Sequence, residues 1–416
     1  MKILVVSQYF YPENFRINEL ASVLVERGHQ VTVLTGQPNY PSGKFVPGYG
    51  WGGPRSEEYA GAQVYRVPLV RRGSASAARL VLNYLSFVFT ACWGVLFRLP
   101  ADSQFDAIFV FGTSPVTVGI PAALARRRYR APVLFWVLDL WPESLSAVGA
   151  IRSPWLLRRV ESLVRWIYRR CDRVLVQSRA FVPEITRHGV AEAVVRYFPN
   201  WGEATFDVPA AGVDSLRLSG IPDGFRVLFA GNVGAAQDFP AILDAAARLK
   251  ERADIQWIIV GDGRMAAWAR GETRRRGLEQ RVYFMGQHPQ ADMPSFFAAA
   301  DALLLSLRRE PIFALTVPGK LQSYLASGKP VLAMLDGEGR RIVDEARAGF
   351  TCAAGDGEGL AQVVEQLAAM SAAERVTMGQ RGREFFLEHF ARERVFDHLD
   401  AWLVELVNLQ GKKESV

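Results

Sequence analysis

Asp301–Ala333, DALLLSLRREPIFALTVPGKLQSYLASGKPVLA, carries the clearest architectural signal in the chain. It reads as a buried strand over Ala302–Leu307, a loop, a short helix opening at Pro318-Gly319-Lys320, a glycine stop at Gly328 and a second apolar strand. Backbone N–H groups at the start of such a helix lack intrahelical partners and carry the positive end of the helix dipole. With Lys320 beside them, they suit a diphosphate docked against the first turn. An ordinary crossover with a surface lysine has the same pattern, so this segment alone leaves both readings open.

The same alternation extends in both directions. KILVVS is a first strand, and a helix follows with apolar residues at Ile17, Leu20, Ala21, Leu24 and Val25, stopping at Gly28 before the strand VTVLT. Further strands are expected at Val64–Val67, Ala107–Phe111, Pro132–Val137, Arg173–Val176 and Val194–Phe198. The pattern halts at Pro199–Gly212, PNWGEATFDVPAAG, and restarts with RVLFAG, IQWIIVGDG, VYFMG, DALLLSL and KPVLAM. Strands and helices in this order build a parallel sheet covered on both faces. The fold class is therefore α/β: two doubly wound, Rossmann-like domains facing a central cleft, with ligands at the carboxyl ends of the strands. The expected division is a first domain over 1–200, a linker over 201–224, a second domain over 225–388 and a final helix over 389–410. Only the tail GKKESV reads as disordered.

Composition narrows the function. At 416 residues the chain suits two domains, and with half its residues apolar and 22% charged it is globular. Its 49 Lys+Arg against 42 Asp+Glu leave +7, with basic clusters at Arg126–Arg128, at Arg274–Arg276 and along Arg152–Arg173. Such clusters suit nucleic acid, anionic lipid or phosphate-bearing substrates. No nucleic-acid module accompanies them, so membrane and phosphate rank first and nucleic acid is not expected. Cys92, Cys171 and Cys352 lie far apart in apolar surroundings, which suits a reducing cytoplasm. Leu80–Phe97 carries no charge and nearly has the length of a bilayer span. It sits between two strands of one sheet, however, and contains Asn83, Ser86 and Thr90, so a buried crossover helix is expected, with room for one face to touch lipid. In Ser153–Arg173, apolar residues at Trp155, Leu156, Val160, Leu163, Val164 and Ile167 form a stripe that suits core packing or a lipid surface.

Several chemistries are missing. There is no GxxxxGK[ST] phosphate loop, no GxSxG nucleophile elbow, no pair of aspartates separated by one residue, and no histidine pair at metal-ligand spacing. A site without metal or cofactor is expected. After the strand RVLFA comes Gly231-Asn232-Val233-Gly234-Ala235-Ala236-Gln237, and after IQWIIV comes Gly261-Asp262-Gly263 followed by Arg264. Glycines at such turns let backbone approach a phosphate closely. In LFWVLDLWPESL, Asp139 stands at the carboxyl end of a strand that needs no charge, with Glu143 four residues on. An acid at that position is a loop cap or a site residue.

PGKLQSYLASGKPVLA resembles the donor-site helix of the retaining family 4 glycosyltransferases of GT-B type, and QYFYPENFRINELASVLVERGHQVTVLT resembles their opening strand, loop and helix. The resemblance covers nearly the whole chain. It implies a nucleotide-diphosphate sugar as co-substrate, donor contacts from Asn232, Gly234, Gln237, Gly261, Gly263, Arg264, Pro318, Gly319, Lys320 and Ser323, and catalytic roles for Asp139 and Glu143. It further implies acceptor contacts from Tyr11, Glu13, Asn14 and Arg16, and a last helix that returns toward the first domain. The family's Arg and Lys near the first glycine turn are replaced by Asn232 and Gln237. Its pair of glutamates falls on Leu315 and Ser323, with Glu310 five residues before the earlier position, and its frequent histidine falls on Leu138.

TVPGKLQSYLASGKP resembles a subgroup of bacterial polysaccharide enzymes, the N-acetyl-L-fucosaminyl and colanic-acid glycosyltransferases. That resemblance implies a UDP-linked donor and a polyprenyl-diphosphate-linked acceptor, used by a cytoplasmic protein peripheral to the inner face of the cell membrane. Two rival expectations share the fold: an isomerase resembling UDP-sugar 2-epimerases, disfavoured by scarce histidine, and a non-catalytic partner subunit.

Overall fold

The structure is a computed structural model that describes residues 1–73, 77–100, 104–143, 145, 153–202 and 220–414. Most of the expected linker, Arg152 of the basic run, and Ser415 and Val416 of the tail lie outside the described residues. The chain divides into two compact units, Met1–Phe198 with Leu399–Val416, and Pro199–His398.

The first unit holds eight strands: β1 (Lys2–Val6), β2 (Gln30–Gly36), β3 (Ser56–Tyr59), β4 (Ala62–Val67), β5 (Ala107–Gly112), β6 (Val133–Val137), β7 (Arg173–Val176) and β8 (Val195–Tyr197). They form one sheet in the order β3-β4-β2-β1-β5-β6-β7-β8. The central runs AIFVFG and VLFWV are buried at every residue, as strands covered on both faces require. The sheet is not purely parallel, because β3 pairs antiparallel with β4. Its sequence SEEY lacks the apolar run that marks the other strands, which is why no strand is expected there from the pattern. Charged residues on an edge strand keep its free hydrogen-bonding side from pairing with another chain. Glu57 of this edge also neutralises Arg66, whose side chain is fully buried and whose Nη1 donates to the Gly36 carbonyl at 3.0 Å.

The apolar run forms the helix Ala77–Phe97, a crossover from β4 to β5 with one face buried and the other bare. Phe87, Ala91 and Val95 pack inward. The opposite stripe, Val81, Leu85, Phe89, Trp93 and Phe97 at a spacing of four residues, is exposed. Although the helix is long and apolar enough to cross a membrane, it connects β4 to β5 of one sheet, which excludes a span. Asn83 explains the polar interruption. Its amide donates to the Val70 carbonyl at 2.6 Å and to Asn39 Oδ1 at 3.3 Å, and its carbonyl accepts from Gln8 at 2.8 Å. One buried amide thereby pins the helix to the segments after β1, β2 and β4.

The helix Pro154–Tyr168 likewise packs less than its stripe suggests. Val164, Ile167 and Tyr168 are buried, whereas Trp155 and Leu156 are exposed, so core packing accounts only for its last turns.

The second unit holds β9 (Phe225–Ala230), β10 (Ile255–Val260), β11 (Val282–Gly286), β12 (Ala302–Ser306), β13 (Val331–Met334) and β14 (Gly349–Cys352), in the order β11-β10-β9-β12-β13-β14. β14 was not among the expected strands because GFTC is short and half-polar. The last helix, Arg392–Glu414, includes the first four residues of the tail GKKESV, which reads as disordered in the sequence. From Leu399 onward it belongs to the first unit, where Asp400 pairs with Arg27 at 2.9 Å and Glu405 with Arg173 at 2.6 Å.

Asn83→Leu should expose the size of the amide network. Removing it leaves the Gln8 donor and the Val70 carbonyl buried without partners, and each such group costs about 1–3 kcal/mol. Urea unfolding should show a loss of that order with an unchanged slope; a loss below about 0.5 kcal/mol would mean that the network carries no stability.

Candidate active site

The second unit assembles its candidate residues at the carboxyl ends of β9 and β10. Gly231 follows β9 with φ of +129°, and Gly261 follows β10 with φ of +139°. A Cβ on Gly261 would lie 1.9 Å from the Gly231 carbonyl oxygen, so only glycine fits where the two turns touch. Val233 N–H donates to the Asp262 carbonyl and Met265 N–H to the Val233 carbonyl, both at 2.9 Å, which fixes the turns as one piece. With Asn232, Gly263, Gln287, His288 and Met293 they line a cavity of about 520 Å³.

Lys320 lies directly beneath this piece. Its Nζ sits 3.7 Å from the centroid of the Phe229 ring, and a Cβ on Gly231 would meet its Cε at 2.5 Å and its Nζ at 2.7 Å. Burial pushes the Lys320 ammonium down to about 7. The ring acts the other way, because its negative face favours the charged form. Among the described residues no carboxylate pairs with this lysine, so a bound anion would supply the missing counter-charge. The helix that begins here, Lys320–Ala326, has only seven residues, so the lysine rather than the helix dipole is the main positive charge at this point. Tyr324, one turn on, fixes its position: the Ala230 N–H donates to the buried Tyr324 hydroxyl at 3.0 Å.

The other donor candidates are less uniform. Asn232 is exposed at the cavity, and Gly234 is buried with its N–H donating to Gln237 Oε1 at 3.2 Å. Gln237 is thereby committed to shaping the turn. Arg264 is exposed, Pro318 is half-buried, Gly319 is exposed, and Ser323 is 9% exposed within its helix. Glu310 pairs with Arg308 at 2.8 Å ahead of a short helix, Pro311–Leu315, that interrupts the expected loop. Gln287 and His288 escaped the sequence reading; their only signal is their place just after a strand ending in glycine.

In the first unit, Asp139 follows β6 and its Oδ2 accepts from the Ser114 N–H at 3.0 Å and hydroxyl at 2.9 Å. Trp141 Nε1 donates to the same hydroxyl at 3.0 Å. Asp139 remains half-buried, with its second oxygen available for further hydrogen bonds. Glu143 lies in an ion pair with Arg187, which also binds Glu184 at 2.9 Å.

Glu13 departs furthest from its expected role. Only 4% of it is exposed, its Oε1 accepts from the N–H groups of Asn39 and Tyr40 at 2.7 Å each, and its Oε2 accepts from Phe10 N–H at 3.4 Å. Burial raises its pKa to about 7 against the pull of those amides and of Arg66. It therefore organises two loops and cannot present its carboxylate to an acceptor. Tyr11 is exposed beside the Tyr59 ring at 4.6 Å, Asn14 is exposed, and Arg16 lies 3.8 Å from Glu19.

Residues 14–201 match the family model described as Glycosyl transferase 4-like domain, and residues 224–370 match Glycosyl transferases group 1. The chain belongs to the family 4 glycosyltransferases of the GT-B superfamily. This glycosyltransferase is 28% identical over 340 residues to WcaI of Escherichia coli (strain K12), a candidate colanic acid biosynthesis glycosyl transferase, covering 79% of this chain and 82% of WcaI. It is 25% identical to WbjE of Pseudomonas aeruginosa, a candidate glycosyltransferase, over 79% of this chain and 83% of WbjE. Among solved structures it resembles Anabaena Alr3699/HepE in complex with UDP, with a TM-score of 0.71 at 16% identity, covering 98% of this chain and all of that one. That likeness shows the fold.

The half-buried lysine gives a pH signature. Lys320 binds a proton in the unfolded chain up to its ordinary value near 10.5 but releases it in the fold near 7, so the wild type gains stability as pH rises between the two. Lys320→Met lacks this gain. Its stability relative to the wild type should be greatest below about pH 7 and fall steadily toward pH 10 in matched urea titrations. A constant difference across that range would mean that the ammonium keeps its proton in the fold.

Proposed function

We propose that this glycosyltransferase moves a sugar from UDP to a polyprenyl-diphosphate-linked saccharide in cell-surface polysaccharide synthesis, with retention at the anomeric carbon. The reading rests above all on Lys320, half-buried beneath two touching glycine turns with no carboxylate partner among the described residues. Negative charge grows on the diphosphate as the glycosidic bond breaks, and fixed donors with a nearby cation stabilise it there. Lys320 is that cation, the exposed Asn232 amide is such a donor, and the 520 Å³ cavity beside Gln287 and His288 takes the nucleoside.

In this reading the acceptor hydroxyl oxygen bonds to the anomeric carbon as the carbon–diphosphate oxygen bond breaks. The hydroxyl proton passes to the departing phosphate oxygen on the same face, so no protein nucleophile, metal or cofactor is required. Asp139, oriented by Ser114, positions the acceptor hydroxyl, and Glu143 supports the same loop through Arg187. The resemblance to N-acetyl-L-fucosaminyl enzymes supports N-acetyl-L-fucosamine as the sugar. UDP is favoured because solved structures of similar fold are complexes with UDP or UDP-glucose. The exposed stripe on Ala77–Phe97 supports a location on the inner face of the cell membrane.

Thermal unfolding with UDP, GDP, dTDP and ADP tests the donor. A ligand at ~100 Kd stabilises by about 2.7 kcal/mol, a shift of a degree or more. The expected result is a UDP-selective shift that Lys320→Ala removes and Asp139→Asn leaves intact, while Asp139→Asn lowers transfer by about 10²-fold or more. A GDP-selective shift would replace the nucleotide, and no shift with any of the four would sink the donor site.

A further inference from the structure

Arg72 has no charged partner among the described residues. Its Nη1 donates to the Tyr9 hydroxyl at 3.2 Å, its guanidinium lies 5.2 Å from the centroid of the Tyr40 ring, and its N–H donates to Asn39 Oδ1 at 3.0 Å. These contacts hold the side chain half-buried and aim it, and none of them is a carboxylate. A planar guanidinium fixed this way is preorganised for an oxyanion. Arg71, beside it, is exposed.

The surroundings narrow the anion. Val70 is docked on the helix Ala77–Phe97: its N–H donates to Ser86 Oγ at 2.9 Å and its carbonyl accepts from Asn83 at 2.6 Å. The two arginines therefore follow a residue docked on the Asn83 face of the first turns of this helix, and the bare apolar stripe begins across the helix from them with Val81 and Leu82, which are 53% and 55% exposed. The stripe continues to Phe89 and Phe97, 75% and 69% exposed, and Arg98 lies over the Trp93 ring at its far end. A soluble anion has no use for such a stripe, whereas an anionic lipid uses both parts. In the other direction, Tyr9 hydrogen-bonds Tyr84, and Tyr84 lies close enough to Asp139 to feel its charge. Arg72, Tyr9 and Tyr84 thus lie together in the first unit, on the side of Tyr84 from which the charge of Asp139 is felt.

We propose that Arg72, with Arg71 beside it, binds the diphosphate of a polyprenyl-diphosphate-linked acceptor whose hydrocarbon chain lies along the exposed stripe of the helix Ala77–Phe97. The saccharide then extends toward Asp139. This rests on the lipid-linked acceptor of the proposed function, and it assigns that acceptor's phosphate a position that none of the loop residues 11–16 supplies.

Co-sedimentation of the full chain with phosphatidylcholine vesicles tests it. One set of vesicles is doped with undecaprenyl diphosphate, and a second is matched to it in charge with phosphatidylglycerol. The wild type should prefer the diphosphate vesicles, and Arg72→Gln should lose about tenfold or more of that preference, the effect of removing a charge-assisted hydrogen bond. Arg72→Lys should keep part of it, and Phe89→Glu with Phe97→Glu should weaken binding to both sets. Equal binding of the wild type to both sets, or an unchanged preference in Arg72→Gln, overturns the assignment. So does a stable dimer that the two glutamates dissociate without changing vesicle binding. The UDP-induced thermal shift is measured on every variant. If it persists while the vesicle preference fails, the donor reading stands and the Arg72 site falls; its absence from the wild type counts against the donor reading itself.

Discussion

The second unit depends on the contact between Gly231 and Gly261. Two parallel strands end side by side; their following turns can touch because Gly261 carries no Cβ, and Lys320 fits beneath because Gly231 carries none. Their approach leaves room underneath for one long side chain, and Lys320 fills it. The Tyr324 hydroxyl, bonded to the last residue of β9, ensures that the lysine arrives there and nowhere else. A charged group has thus been taken partly out of water and given an aromatic face instead of an acid. An arrangement of this kind is destabilising on its own and becomes favourable when an anion enters.

The first unit uses different physics for a similar end. Its carboxyl-end loops are short of secondary structure and are held by buried polar groups. Glu13 gathers three backbone amides, Asn83 ties three segments to one helix, and Arg66 is buried against Glu57. Once these groups are satisfied internally, Tyr11, Asn14, half-buried Arg72 and half-buried Asp139 are among the side chains left accessible. The polar residues that look most chemical in the sequence are therefore largely the scaffold, and the less conspicuous ones face the ligand side.

The helix Ala77–Phe97 shows how one sequence property serves two purposes. A helix apolar all round is normally buried or membrane-spanning. Here the sheet takes one face and nothing among the described residues covers the other, while Asn83 holds the register between them. The Pro154–Tyr168 helix behaves similarly, with Trp155 and Leu156 left bare. Basic residues flank both helices, so the apolar faces and the positive charge coincide on one unit.

The alternating architecture, the break between two units and the glycine turns were legible from the chain alone. Buried parallel strands demand continuous apolar runs, and touching turns demand glycine, so both constraints are written locally. Strands β3 and β14 were not legible, because a short polar edge and a half-polar strand are stabilised by their neighbours rather than by their own pattern. The roles of Glu13, Asn83 and Gln237 emerged only from the packed fold. A carboxylate or amide has the same letter whether it points at a ligand or at its own backbone, and only the packing around it selects which donors it meets. The same holds for Lys320 and Arg72, whose lack of an acidic partner among the described residues is a property of the fold and of no single segment.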